Sequence, residues 1–232
     1  MEIIAEIGQN HNGDMELARR LIREAKASGA DVAKFQLFDA RALFKKEGNE
    51  WYDYNCKTEL SRADVGLLAE ECEKAGIEFM ASVFDTKRLA WLEEIGARRH
   101  KIASRSIKDA ALIQAVAKTG KRMLVSLGFW DQPEFPRIDA PGGVDFLYCI
   151  AKYPTPLSDL HLKSVDFTRY KGFSDHTIGV VAPIAALARG AQIIEKHFTL
   201  DKEMYGPDHS GSMTPDELKT LVEFRNAFKE AL

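Results

Sequence analysis

Eight times along this chain a short run of β-branched and other apolar residues gives way to an amphipathic stretch or a turn, the pattern of repeated βα units around a parallel sheet. Eight such units in series close into a (β/α)8 TIM barrel of the α/β class. The predicted strands are residues 3–7, 32–37, 78–83, 100–103, 123–127, 146–150, 172–174 and 192–197. Three predicted helices end at glycine. The first, 15–27, carries Leu17, Leu21, Ile22 and Ala25 at helical spacing and stops at Gly29, while 60–75 stops at Gly76 and 107–118 at Gly120. The last helix opens with Thr214-Pro215-Asp216-Glu217, which supplies an N-cap, a first-turn proline and a capping-box acid. One unit departs from the repeat. Residues 128–143 contain Pro133, Pro136 and Pro141, which leave no room for a full helix, so a degenerate fifth helix is expected, its stretch serving as pocket wall or partner surface. No linker or low-complexity segment interrupts the series. With 232 residues, 45% of them hydrophobic, residues 1–232 read as a single barrel domain with a sizeable core.

A formal net charge of −3 gives no electrostatic reason to expect nucleic acid or an anionic membrane as partner, which leaves small molecules. Met1-Glu2-Ile3-Ile4-Ala5-Glu6 enters a strand directly, without a basic segment or cleavage signal, and no apolar run is long enough to span a bilayer. A cytoplasmic location is expected. Cys56, Cys72 and Cys149 are widely spaced and odd in number, so they read as reduced thiols, Cys149 buried in a strand.

The active site of such a barrel lies at the C-terminal ends of its strands, and here those ends are polar. Strand one ends in Glu6-Ile7-Gly8-Gln9-Asn10-His11, strand two bears Lys34 and Gln36 on one face, and strand three ends in Ser82 and Asp85. Strand four bears Lys101 and Ser104, strand five Ser126, and strand six leads to Lys152 and Tyr153. Strands seven and eight supply Ser174, His176 and His197. Two lysines pointing into a barrel are costly unless an anion sits between them, so lysines and serines together suggest a cradle for phosphate and carboxylate. The two histidines, at corresponding points of consecutive units, suggest a divalent metal position. Each residue alone has a plainer reading as a solvated rim residue. His100 and His161 are expected at the surface, and His209 is either a loop residue or a substrate contact.

Six motifs stand in order across nearly the whole chain: Glu6-Ile7-Gly8-x-Asn10-His11-x-Gly13, Lys34-x-Gln36, Tyr153-Pro154-x-Pro156, Ser174-Asp175-His176-Thr177, Glu195-Lys196-His197-Phe198-Thr199 and Gly206-Pro207-Asp208. Together they resemble the N-acetylneuraminate (sialic acid) synthase family. The resemblance implies condensation of phosphoenolpyruvate with an aldose, commonly an N-acetylated hexosamine, to a 2-keto-3-deoxy (nonulosonic) acid and phosphate. It implies that His176 and His197 bind manganese or magnesium, and that Lys34, Ser82, Lys101, Ser104, Ser126 and Ser174 hold phosphoenolpyruvate. Glu6, Gln36, Tyr153 and Asp208 would then lie around the acceptor, with Glu6 a proton-transfer candidate, and the family's habit implies a homodimer.

Several positions depart from the family pattern. Its members typically continue into a small antifreeze-like C-terminal domain, which this chain is expected to lack. Where the family reads Lys-Ile-x-Ser-Gly-Glu, the chain has Lys101-Ile102-Ala103-Ser104-Arg105-Ser106; an asparagine position is Ala151 and a threonine position is Leu127. The donor half is kept and the sugar half rewritten. An acceptor other than N-acetylmannosamine is therefore expected, with Arg105 or Phe129-Trp130 replacing lost contacts. Alternatives are a 3-deoxy-octulosonate-phosphate type of synthase, a Schiff-base aldolase using Lys101, and a non-catalytic sugar-binding relative.

Overall fold

The computed structural model describes residues 1–231, and its eight parallel strands close into a barrel in the order β1 to β8. They are β1 (Glu2–Gly8), β2 (Val32–Leu37), β3 (Glu78–Val83), β4 (Arg99–Ile102), β5 (Arg122–Ser126), β6 (Val144–Cys149), β7 (Gly172–Asp175) and β8 (Ile193–His197). Every predicted strand is present, β2 and β3 with the expected bounds and the others shifted by a residue or two. The helices are α1 (Met15–Ala27), α2 (Ala40–Leu43), α3 (Tyr52–Lys57), α4 (Arg62–Ala75), α5 (Thr86–Glu94), α6 (Ala110–Ala117), α7 (Val181–Ala188) and α8 (Pro215–Ala231). No helix among the described residues is long and apolar enough to cross a membrane.

Local chemistry sets the boundaries. Asp14 caps α1 by accepting from the backbone N–H groups of Glu16 and Leu17, and Ser61 and Asp64 form a reciprocal capping box that starts α4 at Arg62. The helix predicted over 107–118 begins only at Ala110, because Ser104–Ser106 form a 3-10 turn and the Asp109 side chain caps α6 by accepting from the Leu112 N–H. Thr214 and Glu217 pair in the same way ahead of α8.

The strand alternation sorts the barrel interior into three layers. The middle layer is apolar: Ile4, Val32, Met80, Leu124, Leu147 and Ile193 form one buried cluster. Burying a side chain of this size stabilises the fold by roughly 1.5–3 kcal/mol, and the layer separates two polar ends. At the N-terminal end Arg99 bridges Glu2 (2.7 Å) and Glu78 (2.8 Å), and Arg122 pairs with Asp145. At the C-terminal end come Glu6, Lys34, Gln36, Ser82, Lys101, Ser126, Ser174, Glu195 and His197. Gly172 holds the inward position on β7, where a Cβ would lie 2.1 Å from the Ile193 carbonyl oxygen, so only glycine lets β7 approach β8.

The expected loss of the fifth helix is borne out, and a second helix is missing that the sequence did not announce. Among the described residues no helix lies between β5 and β6, and between β6 and β7 there are only the 3-10 turns Leu157–Asp159 and Leu162–Ser164. Aromatic packing covers the bared sheet instead. Phe135 packs edge-on against Phe146 (5.0 Å between centroids) and lies 4.7 Å from Tyr170, which contacts Tyr148, which in turn meets Phe173.

Candidate active site

The inward-facing residues of β1, β2, β4 and β8 meet in one ionic knot. The Lys34 ammonium lies 2.7 Å from Glu6, 3.5 Å from Glu195 and 3.1 Å from the Ser82 hydroxyl. The Lys101 ammonium lies 3.4 Å from the other oxygen of Glu195 and donates to Ser126 at 2.8 Å. Ser174 donates to Glu195 at 2.8 Å, and Gln36 donates to Glu6 at 2.8 Å. The anion required between the lysines is therefore supplied by the chain itself. Glu195 belongs to one of the six motifs and the sequence alone assigns it no role, although strand alternation sets it two residues from His197 on the same face. The knot fills its own pocket, which retains a cavity of about 50 Å3.

Burial and charge tune these groups against one another. For Glu195, burial would raise the carboxyl, but Lys101 and Lys34 outweigh it and hold the group down at about 2. Burial likewise opposes charge on both lysines. At Lys34 the carboxylates of Glu195 and Glu6 prevail and the ammonium is raised, while at Lys101 burial, aided by repulsion from Lys34, leaves it lowered.

His176 and His197 stand with ring centroids 5.8 Å apart, and the Tyr153 ring lies 4.1 Å from that of His176. His176 Nδ1 lies 2.9 Å from the Ile150 carbonyl, which can only accept, so this nitrogen carries the proton and Nε2 keeps a free lone pair. Burial, with His197 beside it, pulls His176 down to about 3, which keeps the ring neutral as a ligand must be. His197 Nδ1 is buried without a hydrogen bond, and Asp208 Oδ2 is 4.0 Å away. Among the described residues no group of three or more metal-ligating side chains is assembled, so the protein offers an imidazole pair with room for other ligands. The pair fits a divalent ion on the orphaned Nδ1 of His197 and the free Nε2 lone pair of a neutral His176.

Beneath the pair lies a buried clamp. Lys196 and Asp175 face outward from β8 and β7, each at most 1% exposed, and pair at 2.7 Å. Asp175 accepts from the Thr177 N–H (2.9 Å) and hydroxyl (3.1 Å), and Lys196 donates to the Thr177 carbonyl, so the turn carrying His176 is tied down on both sides.

Other expectations need correction. His100 is not at the surface: it is fully buried and its Nε2 lies 2.7 Å from Glu93. His161 is exposed as expected. Of the two readings of His209, the loop residue is the one the structure describes: it is buried in the 3-10 turn His209–Gly211, bridging Thr199 (2.6 Å) and Asn12 (3.1 Å) in a network that includes Tyr54 and seats the loop bearing Asp208. Asp85 caps α5 and pairs with Arg88 (3.1 Å), and Lys152 pairs with Asp159 in solvent, so neither enters the site. Above the knot an outer chamber of about 760 Å3 is lined by Gln36, Phe44, Trp51, Arg105, Phe129 and Tyr153 among others, with Asp208 at its β8 side. Trp130 faces a different groove, beside α6.

A closed parallel barrel with ionic groups and an imidazole pair at its strand ends, opening into a chamber, is the build of a barrel enzyme acting on small polar molecules. Comparison with known proteins makes the assignment specific. The chain belongs to the NeuB family, whose model matches residues 21–232. It is 38% identical to the N,N'-diacetyllegionaminic acid synthase of Legionella pneumophila over 95% of this chain and 70% of that protein. It is 39% identical to an uncharacterized protein of Methanocaldococcus jannaschii over 95% of this chain and 68% of that one. Among solved structures, the N-acetylneuraminic acid (sialic acid) synthetase of Leptospira borgpetersenii superposes with a TM-score of 0.91 at 34% identity, covering 99% of this chain and 84% of that chain. The resemblance read from the motifs thus holds.

Proposed function

We propose that this protein condenses phosphoenolpyruvate with an aldose to give a 2-keto-3-deoxy sugar acid, such as a nonulosonic acid, and phosphate. The observation that carries the reading is the ionic knot: two buried lysines from β2 and β4, bridged by Glu195, beside the His176 and His197 pair in a NeuB-family barrel. The donor's phosphate and carboxylate take the place of the internal carboxylates on Lys34 and Lys101, with the hydroxyls of Ser82, Ser104, Ser126 and Ser174 completing the cradle. The methylene carbon of the donor then bonds to the aldehyde carbon, and the aldehyde oxygen gains a proton. Water adds to C2 and loses a proton; the bond from C2 to the phosphate oxygen breaks, phosphate leaves, and loss of the C2 hydroxyl proton yields the ketone. Glu6, released from Lys34 and still held by Gln36, exchanges protons with the water and the tetrahedral centre. Tyr153 and Asp208 line the acceptor side.

His176 and His197 would hold a divalent metal, which when bound supplies Lewis-acid polarisation of the aldehyde oxygen. Two imidazoles favour manganese over magnesium. In the knot the two lysines balance the two glutamates, so a divalent cation also supplies the net positive charge that suits an anionic donor. The setting is the cytoplasm, which suits three free thiols, and the partners are small molecules rather than nucleic acid or membrane. Residues 1–232 act as one domain, and the assembly is a homodimer, supported by exposed Leu157, Ile178, Val181 and Tyr205 near the mouth.

Phosphate release from phosphoenolpyruvate, assayed with manganese over a panel of aldoses, tests the reading. Release that requires both aldose and metal and is lost in His176→Ala supports it; release indifferent to metal overturns it. A second reading rests on the place of Lys101, buried at the end of β4 and lining the same pocket, where burial and Lys34 oppose its charge as a Schiff-base nucleophile requires. Borohydride trapping with pyruvate separates the two, because only the Schiff-base route leaves a covalent adduct on Lys101.

A further inference from the structure

We propose that Arg105 determines acceptor specificity by selecting an aldose with an anionic group, phosphate or carboxylate, at the end remote from its aldehyde. The inference rests on the function proposed above and concerns the outer chamber. In the closed strand order β4 lies diametrically across from β8, so Arg105, just after β4, faces the imidazole pair and Asp208 across the mouth. An acceptor whose aldehyde lies at the histidines therefore extends its far end toward Arg105.

The guanidinium is held in place but chemically free. Its backbone belongs to the 3-10 turn Ser104–Ser106. Ser104 is fixed by accepting from the Gly128 N–H (3.1 Å) and contacting Cys149 Sγ (3.3 Å). The head group lies over the Phe44 ring, 5.1 Å from its centroid, which leaves the N–H edge of the planar fork open. Among the described residues Arg105 has neither an ion pair nor a side-chain hydrogen bond, whereas the lysines below it are compensated by Glu6 and Glu195. Phe44, Phe84 and Phe129 line the same chamber, and the carboxylate among its lining residues, Asp208, forms no ion pair with Arg105. Arg105 is exposed at the chamber mouth, so its unused guanidinium edge is open to an incoming ligand and matches a phosphate or carboxylate, which it can bind through two hydrogen bonds. A neutral hydroxyl at the same place would exchange water for one uncharged hydrogen bond and gain less than an anion does.

The test uses the whole protein with manganese and phosphoenolpyruvate. Binding by calorimetry and kcat/KM are measured for N-acetylmannosamine, N-acetylmannosamine 6-phosphate, mannose and mannuronate, in the wild type, Arg105→Gln and Arg105→Lys. The wild type should favour the anionic member of a matched pair by about ten- to hundredfold, the range of a charged hydrogen bond. The phosphate and uronate arms tell the two anions apart. Arg105→Gln should bring the ratio close to one and Arg105→Lys restore part of it; because each ratio is taken within one variant, a general loss of activity cancels. Equal binding of neutral and anionic acceptors, or a preference that survives in Arg105→Gln, overturns the proposal. Absence of phosphoenolpyruvate turnover with every acceptor counts against the proposed reaction, and the binding ratios still decide for or against Arg105.

Discussion

Glu195 touches both buried lysines, so removing its charge leaves Lys101 without a carboxylate partner and Lys34 with Glu6 alone. Glu195→Gln should lower unfolding stability by about 3 kcal/mol, the lower end for breaking a buried pair; denaturant titration checks this. Millimolar inorganic phosphate should raise Tm more in that variant than in the wild type, since an external anion replaces the lost one. Equal stability of the two proteins would mean that the knot does not support the fold. A second residue sets an acid limit. Burial holds His11 down at about 4 against an ordinary 6.5, so between these values the unfolded chain binds a proton that the native state refuses. Stability is therefore complete above about 6.5 and falls as pH drops toward 4. His11→Gln should flatten the dependence of Tm on pH in that window, and an unchanged slope would rule His11 out as its source. The lysines were legible because strand alternation alone turns Lys34 and Gln36 inward. The role of Glu195 was not, because it depends on barrel closure bringing β8 into the same interior as β2 and β4.

Among elements, the ends of β7 and β8 matter most, since they carry both imidazoles. The clamp of Lys196, Asp175 and Thr177 lies behind them, on the face away from substrate, and acts only through the turn bearing His176. Lys196→Met should weaken binding of Mn2+ or Co2+ by about tenfold, the lower end for loss of a residue that supports a metal ligand. The visible spectrum of the Co2+ form reports the altered ligand field, and circular dichroism should show the helices retained. Metal affinity equal to the wild type would make the clamp purely structural. The missing fifth helix was legible because Pro133, Pro136 and Pro141 lie within sixteen residues and forbid it. The missing sixth was not: only Pro154 and Pro156 mark that connection, and what covers β6 in place of a helix is an aromatic cluster drawn from Phe135, Phe146 and Tyr170, which lie far apart in sequence. The short helices α2 and α3, which wall the chamber with Leu43, Phe44 and Trp51 nearby, are too brief for a helical period to reveal them.

At the scale of the whole molecule, one apolar layer divides the barrel into a charged base that ties strands together and a charged mouth that does chemistry. Both ends use the same device, inward side chains of opposite sign on neighbouring or facing strands. They differ in access: the base is closed by Arg99 between Glu2 and Glu78, while the mouth opens into the chamber that Arg105 borders. The central claim is that the donor is opened at its C–O bond after carbon–carbon bond formation, and the oxygen isotope tests it most directly. Phosphoenolpyruvate carrying 18O at the bridging oxygen is incubated with the manganese-loaded protein and an accepted aldose, and the products are read by mass spectrometry. The expected result is 18O in the released phosphate, in step with one equivalent of a 2-keto sugar acid. Label retained in pyruvate, with no new sugar acid, would mean P–O cleavage and contradict the proposed reaction.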